Sequence, residues 1–76
     1  MLFKILKYDI IKAVLRAEES DKMNLAYNIM QIIRRATRNE INNNTYTKYY
    51  IINEKDKNYL EQNDIEGILV YEDEQS

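Results

Sequence analysis

Thr45-Tyr46-Thr47-Lys48-Tyr49-Tyr50-Ile51-Ile52-Asn53 is where this chain changes period. Upstream of it, apolar residues recur every three or four positions, as on one face of a helix. Within it, β-branched and aromatic side chains alternate, the mark of a strand. Tyr46, Lys48, Tyr50 and Ile52 take one face, and Thr47, Tyr49 and Ile51 the other. The expected strand runs over residues 45–52, and the fold is read outward from it.

Immediately before it, Leu25, Ile29, Ile32, Ile33 and Ala36 share one helical face. This predicts a helix over roughly 21–40, with Ser20 or Asp21 as N-cap. Arg34, Arg35 and Arg38 crowd its last turns, where cations suit the negative end of the helix dipole. Asn42-Asn43-Asn44 ends it, because asparagine tolerates the left-handed conformation of helix ends. Further upstream, Phe3, Leu6, Ile10, Val14 and Ala17 recur at three and four, which favours one helix over roughly 3–18. In the other reading Asp9 caps a later start and residues 2–7 are extended.

Downstream, Asn53 can cap a short helix over 54–63, with Tyr59 and Leu60 turned inward. Gly67 then precedes Ile68-Leu69-Val70-Tyr71, a second strand, and residues 72–76 read as an acidic, flexible tail. The expectation is one α+β domain over 1–76, in the order α-α-β-α-β. Its strands need cover, and the second helix supplies it. A crossover near the ~12-residue minimum leaves parallel and antiparallel pairing both open.

Composition excludes much chemistry. The 76 residues contain no Cys, no His, no Pro, no Trp and one Gly. Disulfides, thiolate nucleophiles, sulfur or imidazole metal sites and glycine-rich phosphate loops therefore cannot be built. No apolar run approaches the ~20 residues that span a bilayer. The chain reads as cytoplasmic, without metal, cofactor or membrane partner. Carboxylates alone could serve catalysis, and they are frequent on any acidic surface, so no enzyme is expected.

Charge is unevenly distributed. Residues 1–38 hold eight Lys and Arg against four Asp and Glu, a net +4, whereas residues 39–76 hold three against nine, a net −6. Such halves attract each other within one molecule or between two. A domain below ~80 residues with no covalent staple also gains from self-association, so a homodimer is expected.

Seven tyrosines form the most informative feature. Tyrosine offers large contact area with a polar tip and is enriched at interfaces. Both faces of the 45–52 strand are aromatic, so one face is left for a partner. The expected partner site is Tyr46 and Tyr49 with Glu61, Asp64, Glu66, Glu72 and Asp73. The alternative is nucleic-acid binding through Arg34, Arg35, Arg38 and Lys48, which the net acidic domain disfavours.

The runs Ile32-Ile33-Arg34-Arg35-Ala36, Tyr49-Tyr50-Ile51-Ile52-Asn53, Tyr59-Leu60-Glu61-Gln62-Asn63 and Ile68-Leu69-Val70-Tyr71 resemble small accessory proteins of bacteriophages of Gram-positive bacteria. In those, a long helix with an Ile-x-x-Ala patch precedes a strand, a short helix and a final strand. This chain departs from that pattern in having Asn63 where glycine often stands, with its Gly67 four residues later. The resemblance implies a host-takeover protein that acts by binding and inhibiting a host protein in the bacterial cytoplasm. A DNA-binding replication or transcription component suits the acidic second half. No functional residue is carried over.

Overall fold

The computed structural model describes residues 1–63 and 65–74. The chain folds as β1 (Leu2–Leu6), α1 (Lys7–Glu19), α2 (Met23–Asn43), β2 (Tyr49–Asn53), α3 (Glu54–Gln62) and β3 (Val70–Glu72). Its class is α+β, and from residue 7 onward the order is the α-α-β-α-β read from the sequence.

The N-terminal segment departs from the preferred reading. Residues 2–6 are a strand and helix begins only at Lys7. This strand lies in the middle of the sheet, whose order is β2-β1-β3, and both neighbours run antiparallel to it. Thus β2 and β3 point the same way without touching, and α3 carries the chain across β1. Strand pairing with two partners outweighs the local helical pattern, since Phe3 and Ile5 bury on one side while Leu2, Lys4 and Leu6 face the other.

All helices lie on the Phe3/Ile5 face. Ile5, Ile10, Ile29, Ile32 and Leu60 are fully buried there, with Ile52 beside them. Small residues at Ala13, Ala17, Ala26 and Ala36 let backbones approach closely. Tyr50, opposite Ile5 in the register, also faces inward and its hydroxyl meets Thr37 of α2 at 3.3 Å. The second helix is the cover that the sheet requires.

Element ends follow local chemistry, with corrections. Neither Ser20 nor Asp21 caps α2; Lys22 occupies that position, and Asp21 takes up a left-handed turn, φ 59°. At the other end Asn44 adopts φ 53°, the expected left-handed stop, although α2 extends to Asn43. Asn53 caps α3 by accepting the Asp56 N–H at 2.8 Å. Residues 45–48 form a connecting loop, so β2 starts four residues later than expected. The final strand is shifted to 70–72 and includes Glu72, while the Asp73 N–H donates to Leu2 O at 3.0 Å. The tail expected from residue 72 is thus held to the sheet through Asp73; Gln75 and Ser76 lie outside the described residues.

Gly67 turns the chain toward β3 with φ 86°, and Arg16 Nη1 stands 3.0 Å from where a Cβ would sit. The same guanidinium donates to Glu66 O at 2.9 Å, which ties this loop to α1.

Candidate interaction surface

The helices cover one side of the sheet and leave the other open. Strand alternation and register place Leu2, Lys4 and Leu6 of β1, Tyr49 and Ile51 of β2, and Tyr71 of β3 on the open side. Leu2 and Tyr71 are exposed, and Lys4, Leu6, Tyr49 and Ile51 are half-buried. The result is an apolar platform with one cation near its centre.

Tyr49 is its best-defined feature. Lys4 Nζ lies 5.0 Å and Lys48 Nζ 5.5 Å from its ring centroid, so two cations flank the aromatic face. Its partner in sequence, Tyr50, turns inward, where Lys7 Nζ lies 5.0 Å from its ring and also pairs with Glu40. The one strand thus divides its adjacent tyrosines between core and surface.

A cleft of about 670 Å³ runs around the free edge of β2. Asn39, Glu40 and Asn43 of α2 form one wall, and Lys4, Tyr49 and Ile51 the other. The Lys7 N–H donates to Lys48 O, so the β1–β2 ladder uses Phe3, Ile5 and Lys7, and the main-chain groups of Tyr49, Ile51 and Asn53 point outward. Thr47 closes the first of these positions. Its hydroxyl accepts from Tyr49 N–H and donates to Tyr49 C=O, both at 3.1 Å. This blunts an edge strand that carries neither charge nor proline of its own.

The residues singled out from the sequence separate into groups. Tyr49, Lys48 and Asp73 line the cleft together. Tyr46 is exposed in the loop before β2. Glu61 pairs with Lys57 at 3.1 Å, and Glu66 sits in the loop held by Arg16, toward the β3 side of the sheet. Because β1 lies between β2 and β3, these two carboxylates do not form a rim around Tyr49. Glu72 is exposed on β3, opposite Phe3 in the register. Asp64 lies outside the described residues.

The arginine cluster is divided too. Arg35 forms a two-pronged bond to Asp56, Nη2 to Oδ1 at 2.7 Å and Nε to Oδ2 at 3.4 Å, clamping α2 to α3. Asp56 is 95% buried by residue surface (5% exposed), so this pair has a structural duty. Arg34 and Arg38 remain exposed on α2.

No family model, curated protein sequence or solved structure matches this chain. The likeness to phage accessory proteins therefore rests on the quoted apolar spacing alone. Among the described residues no cluster of three or more Asp or Glu could hold a metal ion, and no helix is long and apolar enough to cross a membrane. An open aromatic face was expected from the strand itself; out of reach of sequence reading were Lys4 beside Tyr49 and the contribution of Leu2, Leu6 and Tyr71 to that face. Both depend on β1 being the central strand.

Proposed function

We propose that this chain is a non-enzymatic protein–protein interaction module whose partner seats on the open face of the sheet around Tyr49. The observation that carries this is the uncovered apolar platform. A small domain gains nothing in stability by leaving Leu2, Leu6, Ile51 and Tyr71 toward water, and such faces mark contact sites. Tyr49 supplies a rigid aromatic anchor at the platform's side, with Lys4 and Lys48 as its charged flank.

The finer reading is an inhibitor of a host protein in a bacterial cytoplasm, as the resemblance implies. The net −6 of residues 39–76 supports an attraction to a basic, DNA-binding partner, although Glu40, Asp56 and Glu61 are paired within the fold. The lysines about Tyr49 favour a carboxylate-bearing segment at the anchor itself. One partner can satisfy both if it meets the platform with an acidic patch and the β3 side with a basic one.

The test is affinity capture from a bacterial lysate with the bound protein identified by mass, repeated with open-face variants. Tyr49→Ala should weaken capture at least ~30-fold with circular dichroism unchanged, since anchor truncation typically costs ~2 kcal/mol or more. Lys4→Glu should weaken it as well. Submicromolar binding of single-stranded DNA or RNA at ~0.15 M salt, lost in Tyr49→Ala, would instead make the platform a base-stacking surface and overturn the proposal.

A further inference from the structure

The helix layer presents a second apolar face, on the side opposite the sheet. Tyr8, Ile11 and Leu15 of α1 follow one another at three and four residues, and so do Met23, Tyr27 and Met30 of α2. All six are exposed, by 42–69%. On both helices these positions lie away from the buried set of Ile10, Ala13, Val14 and Ala17, and of Ala26, Ile29, Ile32 and Ala36. The three-four spacing is that of a helix–helix seam, and among the described residues no other element covers it.

Charges at the two ends of this face are opposite. The hairpin end carries exposed Glu18, Glu19 and Asp21 against one exposed base, Lys22, and so stays net acidic. The other end, marked by the Lys7–Glu40 ion pair between the helices, carries exposed Arg34 and Arg38, with Lys12 lying 4.8 Å from the Tyr8 ring centroid. Ile11 and Glu18 are seven residues apart on α1, and Tyr27 and Arg34 seven apart on α2, about 10 Å of helix in each case. A face with apolar residues in the middle, acid at one end and base at the other is complementary to itself after a half-turn.

We infer that two copies of this chain associate through the outer faces of α1 and α2, related by a two-fold axis near Leu15 and Met30, so that Glu18 and Glu19 of each copy meet Arg34 and Arg38 of the other. The four helices form a bundle, with isologous contacts as closed dimers require. The contact spans the length of α1, about 20 Å, across two helices, a footprint of about 400 Å² per copy. Counted over both copies this is about 800 Å², below the ~1,200 Å² of standard specific interfaces and in the range of weak, reversible contacts, so a weak dimer is expected. This inference does not rest on the sheet-face reading, which concerns the opposite side of the molecule.

The experiment is sedimentation equilibrium of the full chain over roughly 1–200 µM, the range that brackets a micromolar dissociation constant. The expected result is a passage from 9.2 kDa to twice that mass. Leu15→Glu and Met30→Glu, both at exposed positions, should raise the dissociation constant at least ~10-fold while circular dichroism stays unchanged. A charge exchange tests the axis. Glu18→Lys with Glu19→Lys, and separately Arg34→Glu with Arg38→Glu, should each weaken self-association about tenfold, and mixing the two variants should restore a mixed dimer. The inference is overturned by a 9.2 kDa mass throughout, or by a dimer that Leu15→Glu leaves intact. It is overturned equally by charge variants that do not recombine, or by a monomer that instead binds anionic vesicles through these residues.

Discussion

Arg35 and its neighbours show how much a residue's meaning depends on what stands opposite. In sequence, Arg34, Arg35 and Arg38 read as one basic group at the end of a helix. In the fold, Arg35 is bound to a carboxylate that Asn53 also helps to fix, through the Asp56 N–H. Removing one member of such a pair leaves the other in a poor environment. Because Arg35 is half-exposed, solvent screens part of the loss, and Arg35→Ala should cost about 1–3 kcal/mol. Arg34→Ala and Arg38→Ala should each stay within ~0.5 kcal/mol, as exposed substitutions do. Urea unfolding of the three variants measures the difference, and equal effects would show that the clamp contributes nothing. The capping role of Asn53 was legible in advance, since it depends on residues three apart. The Arg35–Asp56 bond joins positions 21 apart, and no local pattern announces it.

At the scale of elements, α2, α3 and the α+β class were legible because each rests on periodicity or caps inside one segment. The first strand was legible only as the second reading, residues 2–7 extended, and not with Asp9 as the cap, since α1 starts at Lys7. Phe3, Leu6 and Ile10 sit at helical intervals, while Phe3 and Ile5 sit at strand intervals, and five residues cannot separate the two. Pairing with β2 and β3 decides the matter, and neither partner is adjacent in sequence. The outcome has a direct consequence. A helix from residue 3 would bury Leu6, whereas the strand buries Ile5 completely and leaves Leu6 partly open. Ile5→Ala should therefore cost about 2–4 kcal/mol by leaving a cavity beneath α1 and α2. Leu6→Ala should cost less than ~1.5 kcal/mol, since half its surface effect is already forgone. Thermal unfolding compares them, and a Leu6 effect as large as that of Ile5 would contradict the strand. The partner surface was legible only in outline: the alternation of Tyr49 and Tyr50 said that one tyrosine faces outward, but the charges beside it come from β1 and the 45–48 loop.

For the whole molecule, the two uncovered faces lie on opposite sides of a two-layer fold, and this geometry gives the pair of proposals a joint consequence. A dimer formed through the helix layers turns both sheets outward, at the far ends of the assembly. Each dimer then offers two copies of the Tyr49 platform pointing in opposite directions. Such a molecule cannot place both platforms on one small rigid partner, but it can bridge two partner molecules or two separated sites. Bridging turns the second contact into an intramolecular event and raises apparent affinity by ~10²–10⁴ where the spacing permits. The prediction is a dependence on partner density. On a densely coated surface, Leu15→Glu should lower apparent affinity at least ~10-fold, through faster dissociation. On a sparsely coated surface, where bridging is impossible, the same variant should bind like the unchanged chain, because its platform is intact. Tyr49→Ala should fail on both surfaces. Equal loss for Leu15→Glu at both densities would mean that the helix face itself touches the partner, and the assignment of one face to self-association and the other to recognition would have to be reversed.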